Sequence, residues 1–314
     1  MADGKGRARA MPPIVGVSDS LARVRALVER VAASDCPVLI EGESGTGKEL
    51  IARHLHDASP RRDRVFVPVN CASASPALFE SQFFGHVRGA FTGAQQDMLG
   101  WIRSADRGVL FLDEVSEIPL GLQAKLLRVL QDGEVTPVGL ALPVRVDVRF
   151  IAVTNRTLRQ EVSGGRFRDD LFYRLNVVTI VLEPLRSRPE DIPSLLDYFS
   201  SALAPRYRRP PIRVGPEVER ALCCYAWPGN VRELASWVER LYVTGLEPAE
   251  AAALLMAEAD AAPAPQPLMT LQEAERLAIR RAMEASGHNQ QEAARLLAIH
   301  RNTLARKLRQ SSVA

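Results

Sequence analysis

Three features of this 314-residue chain point to an α/β fold, a parallel sheet covered by helices, with a smaller all-helical unit behind it. Short apolar runs alternate with amphipathic segments from about residue 14 to residue 182. A glycine-rich loop stands between one such run and a helical pattern, and beyond residue 184 the strand-like runs stop. Strands separated by helices need long crossovers, which makes them parallel and buries both faces of their sheet.

The elements follow in order. VLIEG (38–42), VFVPVN (65–70), VLFLDE (109–114) and VDVRFIAVTN (146–155) read as strands, the last with its buried run at Val148–Val153. LARVRALVERVAA and LGLQAKLLRVLQD carry the helical 3.6-residue spacing between them. DIPSLLDYFSSAL, PEVERALCCYA and VRELASWVERLYV, punctuated by Pro and Gly, form the all-helical unit. AEADAAPAPQPL reads as a semi-rigid Ala/Pro linker before a last helical module. The expected division is a basic tail at 1–13, an α/β subdomain at 14–183, a helical subdomain at 184–248, a linker at 249–268 and a C-terminal domain at 269–314.

Composition narrows the function classes. With 46% hydrophobic and 25% charged residues the chain is globular, and its net charge of +3 hides a basic end: Arg295–Ala314 holds five Arg/Lys and no acid. That end suggests an anionic partner. Cys36, Cys71, Cys223 and Cys224 lack CxxC spacing and read as small hydrophobes in a reducing compartment. No apolar run approaches the roughly 18 residues of a membrane span. The start MADGKGRARA lacks a secretory apolar core, so a cytoplasmic protein without membrane attachment is expected.

The loop after the first strand is Gly42, Glu43, Ser44, Gly45, Thr46, Gly47, Lys48, Glu49. Its glycines let backbone N–H groups turn around phosphate oxygens, the following helix adds its positive end, and Lys48 supplies a point charge. Glu49 stands where a Ser or Thr usually ligates Mg²⁺, so Thr46, water or an acid elsewhere must serve. Asp113 and Glu114 close the third strand, at the carboxyl edge where open α/β sheets bind ligands. Asp113 would hold Mg²⁺ through water, and Glu114 would orient and deprotonate the attacking water. Thr154 and Asn155 end the fourth strand, suited to sensing a γ-phosphate or positioning water.

GESGTGKE, GAFTGA, VLFLDE, FRDDLFYRLN and WPGNVREL, in this order, resemble the central ATPase domain of bacterial enhancer-binding proteins, the NtrC-type AAA+ activators of sigma-54 RNA polymerase, over about residues 14–244. Glu49 is usual in that family. The resemblance implies an AAA+ sheet with a helical lid, ATP and Mg²⁺ as cofactors, and a homo-oligomer running from dimer to hexameric ring with ATP between protomers. It implies Asn70 as a switch contacting Glu114, Asn155 as a sensor, Arg168 and Arg174 as arginines reaching a neighbour's γ-phosphate, and Arg232 as the lid's sensor. It further implies that Gly89, Ala90, Phe91, Thr92, Gly93 and Ala94 form the tip of a loop pressed against sigma-54, borne on two helical arms. Gln82 and Val87 replace usual acids, Arg103 stands at a typical acid's place, and Pro137 where arginine is common. Those departures bear on how nucleotide state drives the loop.

NQQEAARLLA and RNTLARKLRQ, with Ala293, Leu297, Leu304 and Leu308 apolar, make a helix-turn-helix pattern resembling the Fis-type DNA-binding domain. Asn302, Thr303 and Arg306 would face base edges and Arg301, Lys307 and Arg309 phosphates of an upstream double-stranded DNA site. With about 13 residues ahead of the ATPase region, no regulatory domain is expected, and control would come from a separate regulatory protein, expression level or DNA-driven assembly. The leading function is an ATP-hydrolysing activator that remodels the sigma-54 closed complex. The alternative is a DNA-binding regulator whose ATPase fold no longer drives sigma-54, and an unfoldase or helicase loader would leave the DNA module unexplained.

Overall fold

The structure is a computed structural model that describes residues 11–73, 76–261, 275–276, 278–280, 282–283, 286–287, 289–297 and 299–311, without the side chains at 76–77, 259–261, 306 and 309–311. Most of the expected 1–13 tail lies outside the described residues. Two compact units part at Leu254.

In the first unit Ser18 caps α1 (Asp19–Ala32), its hydroxyl accepting the Leu21 N–H, and Leu21, Val24, Val28 and Val31 form the buried stripe of that helix. Then come β1 (Val38–Gly42), α2 (Lys48–Asp57), β2 (Phe66–Asn70), α3 (Pro76–Phe84), the four-residue α4 (Trp101–Ser104) and β3 (Val109–Asp113). α5 (Leu120–Asp132), a two-stranded antiparallel ribbon of β4 (Glu134–Val135) and β5 (Val144–Arg145), β6 (Arg149–Thr154), α6 (Leu158–Ser163), α7 (Asp169–Leu175) and β7 (Val178–Leu182) complete the α/β part. The main sheet runs β2-β3-β6-β1-β7, and every pairing in it is parallel, as the alternation of patterns predicts.

Period-2 alternation divides the sheet between two cores. Leu110, Leu112, Phe150 and Ala152 face one cluster with Phe79, Phe83, Leu126 and Phe172, while Val109, Phe111, Ile151 and Val153 face Val24, Val28, Ile51 and Leu55. Each large side chain buried this way is worth about 1.5–3 kcal/mol over leaving it exposed. A charged residue enters this interior at the sheet. Arg149 is 1% exposed and donates to the carbonyls of Val31 and Ala32, satisfying the C-terminus of α1 from the sheet.

The helical part comprises α8 (Ile192–Tyr207), α9 (Pro216–Cys224), α10 (Asn230–Thr244) and α11 (Pro248–Ala261). α11 corrects the sequence reading, which began a linker at 249. The stretch PAEAAALLMAEADA is dominated by strong helix formers behind an N-terminal Pro, and Ala251 and Ala252 bury against the unit, with the Trp237 indole N–H donating to the Ala251 carbonyl. The remainder of that expected linker, 262–268, lies outside the described residues. Cys71 is buried but Cys224 is exposed, so the small-hydrophobe reading fails for the latter, whose place at the end of α9 faces solvent. Among the described residues no helix is long and apolar enough to cross a membrane.

In the second unit, helices Gln290–Leu296 and Arg301–Ser311 pack through Ala293, Ala294 and Leu304, with Ile279, Ala282, Leu297 and Leu308 around them.

Candidate functional site

The phosphate loop lies between β1 and α2 as its spacing requires. Gly45 (φ 80°) and Gly47 (φ 103°) adopt left-handed backbone for different reasons: a Cβ on Gly47 would meet nothing, whereas one on Gly45 would sit 2.2 Å from the Gly229 carbonyl oxygen. Gly45 is therefore a close-approach glycine, the point at which the helical part touches the loop. Lys48 is 8% exposed and its Nζ donates to the carbonyls of Gly42 (2.7 Å) and Glu43 (3.0 Å). Burial pushes its pKa down, while the carboxylates of Glu114 and Asp113 partly hold it up. The Thr46 hydroxyl donates to the Glu43 carbonyl, and Glu49 pairs with Arg53 at 2.7 Å along α2.

Asp113 ends β3, and burial raises its pKa against the lowering pull of Lys48. Glu114 turns out of the strand at φ 54°, a left-handed non-glycine position. There its Oε2 accepts the Asn155 backbone N–H at 3.1 Å. Asn155 thus reaches Glu114 through its main chain. Asn70 lies beside Asp113 in the β2–β3 register, but its Oδ1 accepts the N–H groups of Ala72 and Ser73. No Asn70–Glu114 hydrogen bond is present among the described residues, where the turn after β2 holds the Asn70 side chain by its oxygen.

Ser44, Gly45, Lys48, Asp113, Glu114 and Arg232 line a cavity of about 270 Å³, whose wall does not include Asn70 or Asn155. A second cavity of about 350 Å³, walled by Ile14, Val15, Leu50, Tyr198 and other apolar groups, shares Gly47, Phe199 and Val231 with it. One cleft thus has a charged end and an apolar end, each sized for part of a nucleotide. The helical part closes it by hydrogen bonds that span the chain. Arg232 donates to the Ser44 hydroxyl (3.1 Å), and the buried Asn230 side chain donates to Glu43 and to the Ser44 carbonyl while accepting the Leu185 N–H. Arg186 grips Glu43 with both terminal nitrogens, at 2.7 and 2.5 Å. That pairing, with Asn230 beside it, holds the Glu43 carboxyl down to about 2. Sequence reasoning named Arg232 but missed Arg186, Asn230, Tyr198 and Phe199; the asparagine of WPGN was the one available signal.

Arg168 and Arg174 do not line this cleft. Arg168 forms a two-point pair with Asp170, and Arg174 Nε donates to the Leu130 carbonyl, both side chains facing solvent.

At the GAFTGA stretch the Gly89 N–H donates to the Ala94 carbonyl and the Ala94 N–H to Phe91. Gly89 (φ 81°) and Gly93 (φ 105°) supply backbone that larger residues resist, with open space around both. Phe91 is 38% exposed and packs edge-on to His86 at 5.0 Å. The loop's base is paired by His86 with Met98 and by Val87 with Val138, and a Cβ on Gly139 would lie 2.7 Å from that of Ala90. α3 forms the upstream arm; downstream, irregular chain leads to four-residue α4, shorter than the expected helical arm. Among the described residues Gln82 Oε1 is buried without a hydrogen-bond partner.

In the second unit Asn289 caps its helix by accepting the N–H groups of Gln291 and Glu292. The Ile299–His300 junction then turns the chain into Arg301–Ser311, which exposes Arg301 and Asn302, half-buries Thr303 and pairs Lys307 with Glu275. The Arg306 and Arg309 side chains fall outside the described residues.

Residues 14–181 match the sigma-54 interaction domain, residues 186–266 the AAA+ ATPase lid domain and residues 270–310 the bacterial regulatory protein, Fis family. The chain belongs to the sigma-54-dependent transcriptional activators. It is 48% identical over 301 residues to the transcriptional regulatory protein ZraR of Klebsiella oxytoca, covering 94% of this chain and 68% of that protein. SfnR of Pseudomonas fluorescens, a sigma-54-dependent regulator, is 49% identical over 207 residues, 66% of this chain and 56% of its own. Crystalline NtrX of Brucella abortus, in complex with ADP, superposes with a TM-score of 0.70 at 36% identity over 95% of this chain and 68% of that one. The fold is therefore the AAA+ α/β type with a lid and a Fis-type helix-turn-helix.

Proposed function

We propose that this sigma-54 activator binds and hydrolyses ATP in the cleft, assembles as a ring, and uses Gly89–Ala94 to drive the sigma-54 polymerase closed complex toward melting while its C-terminal module holds upstream DNA. The observation that carries the reading is the convergence of Lys48, Asp113, Glu114 and Arg232 on one cavity that continues into an apolar pocket. Solved structures of NtrX with ADP and with ATP support a nucleotide as occupant. Lys48 and the α2 N-terminus offset phosphate charge, Glu114 orients and deprotonates the attacking water, and Arg232 follows the phosphates from the lid. The donor that the charged end of the cleft offers is an oxygen, that of Asp113, which fits Mg²⁺ held largely by substrate phosphates and water. When bound, Mg²⁺ would neutralise phosphate charge. Arg168 and Arg174, outside the lining of their own cleft, are read as serving a neighbour's, which would make hydrolysis depend on assembly.

A mixing experiment tests this. Glu114→Gln and Arg174→Ala chains are each expected to be inactive ATPases, yet to recover part of the wild-type rate when combined, since each supplies what the other's site lacks. Failure of the mixture to recover, with both variants folded, contradicts action in trans. The buried, unpartnered Gln82 oxygen, at a position where the family usually has an acid, favours a second reading, a DNA-binding regulator that keeps the ATPase fold but is no longer coupled to sigma-54.

A further inference from the structure

The lid begins with a buried carboxylate that no part of the chemistry above uses. Asp191 is fully buried, and its Oδ1 accepts the backbone N–H groups of Val17 (2.6 Å) and Ser18 (2.7 Å) while Oδ2 accepts the Ser18 hydroxyl (2.8 Å). The chain wraps so closely around it that a Cβ on Gly16 would lie 2.6 Å from the carboxylate, at a φ of +143°. Immediately before that turn come Ile14 and Val15, which wall the apolar end of the cleft. Arg188, 4% exposed, completes the unit. One terminal nitrogen meets Asp191 at 3.2 Å, the other donates to the Thr46 carbonyl in the phosphate loop at 3.3 Å, and Nε donates to the Glu183 carbonyl.

Three segments that border the cleft are thus tied to two adjacent lid side chains: the 14–18 wall, the phosphate loop and the end of β7. A buried ion pair is a poor device for stability alone, since apolar residues of similar volume fill such space at less desolvation cost. Its directional bonds fix position.

We propose that Asp191 is a positioning residue for the nucleoside end of the nucleotide and that Arg188 carries the same lid position to the phosphate loop, so that nucleotide affinity depends on where the lid sits. Asp191 never touches the nucleotide; it sets the wall that does. The inference rests on the nucleotide-binding reading above and divides the cleft into two separately adjustable ends.

Asp191→Asn separates the two links. Its neutral amide oxygen accepts the Val17 and Ser18 N–H groups without charge assistance and its N–H₂ turns the Ser18 hydroxyl round, which loosens the 14–18 wall, while Arg188 keeps its bonds to the Thr46 and Glu183 carbonyls. The test titrates the full chain with a fluorescent ADP analogue, and separately with inorganic tripolyphosphate as competitor, which has phosphates and no base. Loss of a charge-assisted bond predicts a rise of roughly tenfold or more in the Kd for the ADP analogue in Asp191→Asn, with the tripolyphosphate constant within about twofold of wild type. Arg188→Gln is expected to weaken both. Unchanged ADP affinity in Asp191→Asn, or equal loss for ADP and tripolyphosphate, overturns the proposal. Should Asp191→Asn fail to fold, Ser18→Ala is expected to show the same selectivity with a smaller rise, and unchanged ADP affinity there overturns it as well. A wild-type chain that bound no ADP would instead refute the nucleotide reading itself.

Discussion

The nucleotide cleft and the GAFTGA loop differ in where their hydrogen bonds come from. Around the cleft, partners lie far apart in sequence: Asn230 with Glu43, Arg186 with Glu43, Asp191 with Ser18, at separations of 187, 143 and 173 residues. In the loop, Gly89 closes on Ala94 and Ala94 on Phe91 through their own backbone, and Phe91 remains over a third exposed. The cleft is held by tertiary structure, so its groups are preorganised. The loop needs little from its surroundings beyond the pairing at its base, which suits the moving role proposed for it. The contrast separates the residues proposed to set chemistry from those proposed to set coupling.

That separation can be broken or sharpened, beginning at the cleft. Lys48→Ala removes a buried, charge-assisted donor and is expected to weaken nucleotide binding roughly 100-fold or more, read by fluorescent-nucleotide titration, with the loop untouched. Normal affinity would mean that phosphates bind elsewhere. Removal of residues 269–314 is expected to abolish site-specific DNA binding in a footprint while ATP turnover persists. Retained specificity would place the DNA reader in the other unit. Gly45→Ala forces a Cβ against the Gly229 carbonyl at φ +80° and is expected to cost roughly 1–3 kcal/mol, seen as a lower Tm and a raised KM for ATP. Unchanged values would show that the lid is not seated on the phosphate loop.

The smallest effect belongs to the Glu43–Arg186 pair. Arg186 depresses the Glu43 pKa to about 2, so the pair stabilises the fold fully above the ordinary carboxylate value near 4.5 and loses that contribution as pH falls toward 2. Glu43 is 41% exposed and screened by solvent, which limits the gain to under about 1 kcal/mol. Glu43→Gln is expected to lower Tm by roughly 1–3 °C at pH 7 and to match wild type near pH 2. A difference that persisted in acid would assign the effect to shape rather than charge.

Much of this cleft was legible in the sequence because its chemistry is local. GESGTGKE follows a strand and opens a helix, and VLFLDE ends at the sheet's carboxyl edge, so period and punctuation alone place Lys48, Asp113 and Glu114. The lid clamp was not legible. Nothing near Arg186, Arg188 or Asp191 in the chain announces partners more than 140 residues away. Asn70 misled for the opposite reason: its strand-end place was right, but a local turn captured its side chain. The 249–261 stretch misled by composition, since Ala and Pro together suggest a linker, while Ala-rich sequence behind a single leading Pro is good helix.

In the proposed function Thr92 and its loop transmit what the cleft does without taking part in it. Open-complex formation on a sigma-54 promoter, with wild type and Thr92→Ala compared and ATP hydrolysis followed in the same reactions, tests it most directly. The account predicts promoter melting by wild type alone, with hydrolysis rates within about twofold of each other, the change being confined to an exposed loop side chain. Melting by Thr92→Ala at the wild-type rate, or a collapse of its ATPase activity, would contradict it.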